Sequence, residues 1–347
     1  MALTVLHVVD RLSGGVPIAV RAYIENSDPE FHHVIAAPFV GGSPAPSWRG
    51  LRAQLVDLGP RVAQPARIGA LTRSIRPAAL HAHSSFPGLM SRLARTKGVP
   101  IVYSPHCFKF DDPAASPALR EAVRRIERAL ARRTDCFAVL SEHEAELARA
   151  LYPGSLIQRI PNAASAPHRE DRSTITHAPP HMGMIGRIAP QKDPDFFGEV
   201  ATLVKLRREG VSATWIGNGE VADAERLSAQ GVRVTGWLQD EPLVEAIDQL
   251  GVYVHTARYE GFPLSVLDAA TRRVPILARR IPALQEAGLH TFETPAEAAS
   301  LVARALDDVA FRSQLVEAGD AMTRVMNSES QRRALKAAWS TPAASTR

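Results

Sequence analysis

The stretch that most constrains this chain runs from Gly251 to Ala270. Gly251-Val-Tyr-Val-His255 is a short β-branched and aromatic run that predicts a strand. Glu260, Gly261, Phe262 and Pro263 then turn the chain sharply, and the apolar run Leu264 to Ala270 opens a helix. Pro263 stands near the first helical position, where its missing N–H costs nothing. A strand, a glycine turn and a helix start leave backbone N–H groups pointing out of the helix, a seat for phosphate or another anion. Glu260 stands just ahead of that seat, placed to accept hydrogen bonds from hydroxyls. Asp268 lies eight residues on, about two helical turns away. Phosphate-seeking N–H groups beside two hydroxyl-seeking carboxylates suit a sugar nucleotide.

The same strand–turn–helix plan opens the chain. Leu3 to Val9 predicts a strand, Arg11 to Val16 a glycine-rich turn and Pro17 to Asn26 a helix. Rossmann-like domains use such a start to bring backbone close to a ligand, which makes Gly14 and Gly15 candidate contact positions. His33 to Phe39 continues as a strand, Pro44 to Ser47 as a loop, and Leu51 to Leu58 and Gly69 to Arg76 as helices. Leu80 to His83 and Pro100 to Ser104 are strands, with a helix from about Leu89 to Thr96 between them. Ligands of an open parallel sheet bind beyond the carboxyl ends of its strands, where His83 and His106 both fall. The plain reading of His83 is a loop histidine bonded to backbone. A metal pair with His81 lacks further ligands at supporting spacing.

Ala118 to Thr134 predicts a helix with Leu119, Val123, Ile126 and Leu130 on one face and Arg120, Arg124 and Arg128 on another. These arginines read either as a solvated face or as a patch for anionic lipid, where each basic residue contributes ~1 kcal/mol. No aromatics interleave with them, which argues against nucleic acid. Asp135 to Leu140 is a strand, and Ser141 with Glu144 reads as a capping box opening the helix Glu142 to Leu151.

Residues 166–180 are polar and proline-bearing, a linker between a first domain of residues 1–165 and a second of residues 181–327. In the second, His181 to Gly186 is a strand, Arg187 to Asp193 a loop and Pro194 to Arg207 a helix. Asp193 and Asp195 read as helix caps favoured by the dipole, not as metal ligands. The strand Ala213 to Ile216 ends in Gly217-Asn218-Gly219-Glu220, and Val232 to Thr235 ends in Gly236-Trp237-Leu238. Trp237 either stacks a base or plugs the core. Pro242 to Leu250, Pro295 to Asp307, Asp308 to Val325 and Ser328 to Trp339 are helices, Pro275 to Ala278 is a strand, and residues 341–347 read as a disordered tail.

A chain of 347 residues suits two domains, each able to bury a core. Two cysteines, Cys107 and Cys136, show no pairing pattern and fit a reducing cytosol. The opening Met1 to Asp10 reads as a buried first strand, not a signal peptide, and no run approaches the ~20 apolar residues of a membrane span. Charge is uneven: residues 1–165 carry a net +7 and the remainder −2.

Two motifs carry a family resemblance. Glu260-Gly-Phe-Pro-Leu-Ser-Val-Leu-Asp268 resembles the glutamate-x7-glutamate motif of retaining GT-B glycosyltransferases of family 4, many of which build bacterial polysaccharides and lipids. It departs from that motif at Asp268, where glutamate is usual. Gly186-Arg187-Ile-Ala-Pro-Gln-Lys192 is similar to the family's Gly-Arg-x-x-x-x-Lys segment. Gly217-Asn218-Gly219-Glu220 looks like its Gly-x-Gly-Glu segment, and Ile160-Pro161-Asn162 like its domain junction.

The resemblance implies an α/β GT-B fold, two Rossmann-like domains facing a cleft, with helix 328–340 returning to the first domain. It implies that Arg187 and Lys192 hold the donor pyrophosphate, that Glu260 fixes the donor sugar and that Asp268 meets the ribose. Gly217, Asn218, Trp237 and Leu238 then line the nucleotide, and Gly261, Phe262, Pro263 and Leu264 seat the phosphates. His106 faces the sugar, with Gly14 and Gly15 also approaching from the first domain. The implied activity is metal-independent retaining transfer from a UDP- or GDP-sugar, without cofactor. The acceptor is a glycan or lipid-linked, and the setting is the cytoplasm or the inner membrane face. The alternatives are a nucleotide-sugar epimerase of the same fold and a non-catalytic sugar-nucleotide-binding scaffold.

Overall fold

The computed structural model describes residues 3–39, 48, 50–169 and 179–343. The loop expected at Pro44 to Ser47, most of the linker and the end of the tail lie outside these residues. Chain contacts define two compact units, Met1–Ala163 with Asn327–Arg347, and Ala164–Met326.

The first unit runs β1 (Leu3–Val8), α1 (Gly15–Asn26), β2 (Phe31–Ala37), β3 (Ala53–Asp57), α2 (Gln64–Ile75), β4 (Ala79–His83), α3 (Ser85–Leu93), β5 (Ile101–Ser104), α4 (Pro117–Ala131), β6 (Cys136–Val139), α5 (Glu142–Leu151) and β7 (Leu156–Arg159). Its seven strands pair in parallel in the order β3-β2-β1-β4-β5-β6-β7. The central strands β4, β5 and β6 are buried at every position, so they read as apolar runs without alternation.

Leu51 to Leu58 was expected to be helical and instead supplies β3, registered on β2 from His33↔Ala53 to Ala37↔Asp57. Leu51, Leu55 and Leu58 share a helical spacing. However, β3 is an edge strand, half-covered along its length, and ladder pairing overrides the local pattern. The second helix begins at Gln64, not Gly69, with Pro65 in its first turn. The third begins at Ser85 and ends at Leu93, a few residues earlier than predicted.

The second unit runs β8 (His181–Ile185), α6 (Pro194–Arg207), β9 (Ser212–Ile216), α7 (Val221–Ala229), β10 (Val232–Val234), α8 (Asp240–Asp248), β11 (Val252–His255), α9 (Leu264–Thr271), β12 (Ile276–Arg279), α10 (Pro282–Glu286), β13 (His290–Phe292), α11 (Pro295–Asp307) and α12 (Val309–Val325). Its sheet is also parallel, in the order β10-β9-β8-β11-β12-β13. Both orders follow the Rossmann plan, in which the strand sequence reverses between two central neighbours and opens a crevice there. The reversal falls between β1 and β4 in one unit and between β8 and β11 in the other.

The last helix, α13 (Ser328–Trp339), belongs to the first unit. Leu335, Ala338 and Trp339 join Val5, Phe31, Ala79 and Val102 in one buried cluster. Gln331 bonds Asn26 and the Pro161 carbonyl. Thr341, placed in the tail by sequence, is buried. Among the described residues no helix is long and apolar enough to cross a membrane.

Candidate active site

In the second unit the two sequence motifs occupy the loops after β8 and β11, the strands that flank the reversal. The loops are laced together. Arg258 N–H donates to the Gln191 carbonyl (2.9 Å), Gln191 Nε2 donates to the Tyr259 carbonyl (3.0 Å), and Thr256 Oγ1 donates to the Lys192 carbonyl (2.8 Å). Within this frame Lys192 Nζ lies 2.5 Å from Glu260 Oε1, both side chains largely buried. Arg187 is exposed. Gly261, Phe262 and Pro263 are buried, and Pro263 caps α9, so the N–H groups of Leu264 and Ser265 open the helix beside Glu260.

Asp193 does not cap α6 with its side chain, contrary to expectation. Its carboxylate accepts from Arg258 Nε and Nη2 (2.8 and 3.0 Å) and from Arg279 Nη1 (2.6 Å). Burial opposes its ionisation, but the two guanidiniums prevail and hold it below the usual aspartate range. This cluster anchors the residue next to Lys192.

His255, at the end of β11, is fully buried. The Tyr253 hydroxyl donates to Ser265 Oγ (2.9 Å) and therefore accepts from His255 Nδ1 (3.0 Å). Burial and the nearby Lys192 charge keep this histidine neutral. The pair sets the first turn of α9 against the strand.

The turn after β9 is built by close approach. A Cβ on Gly217 would stand 2.0 Å from the Gly186 carbonyl oxygen, so only glycine fits. Ile188 N–H donates to the Asn218 carbonyl (2.7 Å), and Gly217 bridges to Gly236. The loops carrying Arg187, Asn218 and Trp237 thus meet beyond the carboxyl ends of β8, β9 and β10. Trp237 is 42% exposed, which removes the reading as a core plug.

Asp268 is where expectation and structure part. Its Oδ1 accepts from Ser165 N–H (2.7 Å) and Ala166 N–H (2.9 Å), and the Ser165 hydroxyl lies 3.0 Å from both oxygens. The carboxylate is buried and committed to the start of its own unit, so a ribose hydroxyl would have to share or displace these bonds. The described part of the expected linker is likewise tied down: Arg169 N–H donates to the Thr271 carbonyl, and Arg272 to that of Pro167.

In the first unit, Gly14 takes φ +100° ahead of α1, a conformation that side chains rarely adopt, and Gly15 begins the helix. His106 and Cys107, just after β5, both hold positive φ (51° and 93°) without being glycine. Such strain persists only where surroundings fix it. Here Glu144 fixes it, with Oε1 accepting Cys107 N–H (2.6 Å) and Oε2 accepting Leu140 N–H (2.8 Å). Ser141 caps α5 as expected, but Glu144 reaches back to Leu140 and Cys107 instead of closing the box.

Burial pushes the Glu144 carboxyl up from 4.5 to about 7 despite those bonds. Because the folded state then holds this proton more tightly than the unfolded state does, the contribution of Glu144 to stability falls as pH rises between these values. Relative to Glu144→Gln, the wild type should therefore lose thermal stability from pH 4.5 to about 7 and run parallel above it. A constant difference across that range would remove the burial argument.

His83 is not a backbone-bonded loop residue. It is fully buried at the end of β4, with ring nitrogens 3.0 Å from His7 Nδ1 and 3.1 Å from His106 Nε2. The third histidine that the sequence did not supply is His7, in register with His81 across β1 and β4. His7, His81 and His83 place three ring nitrogens within 4.8 Å of one another. All six of their nitrogens are already engaged, His81 with Ser104 Oγ (2.9 Å) and Trp339 Nε1 (3.1 Å), and His7 with His33 Nδ1 (3.0 Å). The chemistry is that of a hydrogen-bonded array. A signal existed in the sequence: histidines at inward positions of otherwise apolar parallel strands.

Two Rossmann-order sheets, one carrying a cation, a carboxylate and a helix start at its crevice, define the plan of a GT-B glycosyltransferase. Residues 14–163 match the family model described as a glycosyl transferase 4-like domain, and residues 179–311 that of glycosyl transferases group 1. The chain belongs to this glycosyltransferase family. It is 27% identical over 285 residues to the alpha-D-kanosaminyltransferase of Streptomyces kanamyceticus, 69% of this chain and 71% of that protein. It is 27% identical over 232 residues to the UDP-Gal:alpha-D-GlcNAc-diphosphoundecaprenol alpha-1,3-galactosyltransferase of Escherichia coli, 58% of this chain and 57% of that protein. Among solved structures, sucrose-phosphate synthase from Thermosynechococcus elongatus superposes with a TM-score of 0.77 at 17% identity, covering 96% of this chain and 97% of that one. Anabaena HepE in complex with UDP and glucose gives 0.77 at 13% identity, covering 98% and 100%.

Proposed function

We propose that this glycosyltransferase moves a sugar from a nucleoside-diphosphate donor to a glycan or lipid-linked acceptor in surface-polysaccharide or glycolipid synthesis, with retention and without a metal ion. The observation that carries the reading is the Lys192–Glu260 pair, held at 2.5 Å beside the α9 N-terminus. Lys192 and Arg187 neutralise the charge that grows on the pyrophosphate as the sugar–phosphate bond breaks, a task a divalent cation performs elsewhere. N–H groups at the start of α9 share it. Glu260 receives the donor sugar hydroxyls, and Trp237 offers the exposed ring on which a base stacks. The acceptor oxygen bonds to the anomeric carbon on the face the phosphate leaves, and its proton passes to the departing phosphate oxygen. The two glycosyltransferases from Streptomyces kanamyceticus and Escherichia coli are named for alpha glycosides, and one for a UDP-sugar, which supports UDP as the carrier and an alpha product.

The test is thermal unfolding with UDP, GDP and ADP in EDTA. A ligand at a hundredfold its Kd should add ~2.7 kcal/mol. UDP is expected to raise the unfolding temperature of the wild type and leave Lys192→Ala unmoved. No shift from any nucleotide would remove the reading, and a shift requiring Mg²⁺ would remove its metal-independent part.

The arginines of α4 support an acceptor presented at an anionic surface, although Arg124 and Arg125 are already paired with Glu121. Co-sedimentation with phosphatidylglycerol vesicles at low salt is expected. Its absence would discard the membrane part alone.

A further inference from the structure

Beneath His106 lies a continuous chain of hydrogen bonds, buried up to its part-buried last link: Ser27–His33–His7–His83–His106. The links are Ser27 Oγ to His33 Nε2 (2.8 Å), His33 Nδ1 to His7 Nε2 (3.0 Å), His7 Nδ1 to His83 Nε2 (3.0 Å) and His83 Nδ1 to His106 Nε2 (3.1 Å). A neutral imidazole has one donor nitrogen and one acceptor nitrogen. Each ring therefore dictates the tautomer of the next, and the whole chain has only two self-consistent directions.

Ser27 selects between them. Its hydroxyl lies 2.9 Å from the Ile24 carbonyl, in the last turn of α1, where carbonyls lack an intrahelical donor. Donating there, Ser27 must accept from His33 Nε2–H. His33 Nδ1 then accepts from His7 Nε2–H, His7 Nδ1 from His83 Nε2–H, and His83 Nδ1 from His106 Nε2–H. The opposite direction leaves the Ile24 carbonyl without this donor, a cost in a buried site.

We infer that Ser27, His33, His7 and His83 are positioning residues that lock His106 as the Nε2–H tautomer and so present its Nδ1 as a hydrogen-bond acceptor. Among the described residues nothing bonds that nitrogen. Burial supports the lock, keeping His7 and His83 well below the usual histidine range and holding His33 and His106 at about 4, so the rings stay neutral at physiological pH. The neighbouring His81 is locked independently, because the Trp339 indole can only donate to its Nδ1, which leaves Nε2–H for Ser104. The consequence for ligands rests on the proposed function: an acceptor-only nitrogen takes a sugar hydroxyl and repels a carboxylate or phosphate oxygen. It should therefore favour neutral sugars at the position His106 meets.

The experiment is a long-range ¹H–¹⁵N correlation of the full chain labelled with ¹⁵N-histidine at pH 7, without nucleotide, so it does not depend on the transferase reading. His7, His33, His83 and His106 should each show the Nε2–H pattern, assigned by single His→Gln variants. An Nδ1–H or doubly protonated pattern at any of the four overturns the proposal. Cutting the chain with His7→Leu should let His106 sample both tautomers, while His7→Gln, whose amide both donates and accepts, should restore one. A purely structural role for His7 would leave the His106 pattern unchanged in both. If His7→Leu does not fold, the wild-type spectrum alone decides.

Discussion

Lys192→Ala is expected to lower turnover by about 10²–10³-fold, the range seen when one charge-stabilising group is removed from an active site. The effect should be this large because Lys192 has two roles at one point. It supplies a positive charge in a largely buried setting, where the interaction is poorly screened, and it holds Glu260 by an ion pair. Without it, Glu260 keeps its burial but loses its cation. Lys192→Arg should recover part of the activity, since charge returns with a different reach. Steady-state kinetics with the UDP-sugar that gives product checks this, alongside circular dichroism to show that the fold persists. Turnover within about threefold of wild type in a folded Lys192→Ala would mean that the loop after β8 does not serve the leaving group.

Glu127→Ala should destabilise the first unit strongly, by roughly 3–5 kcal/mol. Arg92 and Glu127 form an ion pair of 2.8 Å with 0% and 4% side-chain exposure, linking α3 to α4. Arg92 Nε also donates to the Gly88 carbonyl, its guanidinium stacks 4.2 Å over the Tyr103 ring, and the Tyr103 hydroxyl donates to Glu127. Removing the carboxylate strands a buried guanidinium. A domain of this size loses roughly 2–4 °C per kcal/mol, so calorimetry should show a fall of about 10 °C. The double variant Arg92→Met/Glu127→Leu should recover most of it, because no buried charge remains. By contrast, Glu121→Ala breaks an exposed pair with Arg125 and should cost at most about 1 kcal/mol. A Glu127→Ala loss no larger than that of Glu121→Ala would refute the burial argument.

Most of the second unit was legible because its signals are local. The Gly186–Lys192 and Glu260–Asp268 segments each sit within a single strand–turn–helix unit, where glycine, proline and charge fall at fixed offsets. What escaped was set by partners distant in sequence. β3 looked helical because its leucines recur at helical spacing, and only its pairing with β2 makes it a strand. β7 and β13 are short edge strands, the latter three residues long, with too few positions for a period to show. Asp268 was read from its motif, yet its bonds go to Ser165 and Ala166, more than a hundred positions away. The histidine array was invisible for the same reason: its members stand at 7, 33, 83 and 106, and only the parallel register stacks them. Asp193 shows the converse error, in which a local rule for helix starts was outcompeted by two arginines from later loops.

The return of α13 to the first sheet has a consequence for how the protein is made. Val5, Phe31, Ala79 and Val102 are synthesised early, but the cluster they form is completed by Leu335, Ala338 and Trp339. At ~5–20 residues per second, roughly ten to thirty seconds of translation separate Ala163 from Trp339. During that interval the first unit carries an uncovered apolar face, and His81 lacks the indole that fixes it. The second unit, contiguous in sequence, has all its parts sooner. The nascent chain therefore finishes its later half before its earlier one, and a stop codon placed just ahead of Ser328 would spare every residue proposed to act in transfer yet leave the first unit's cluster without Leu335, Ala338 and Trp339.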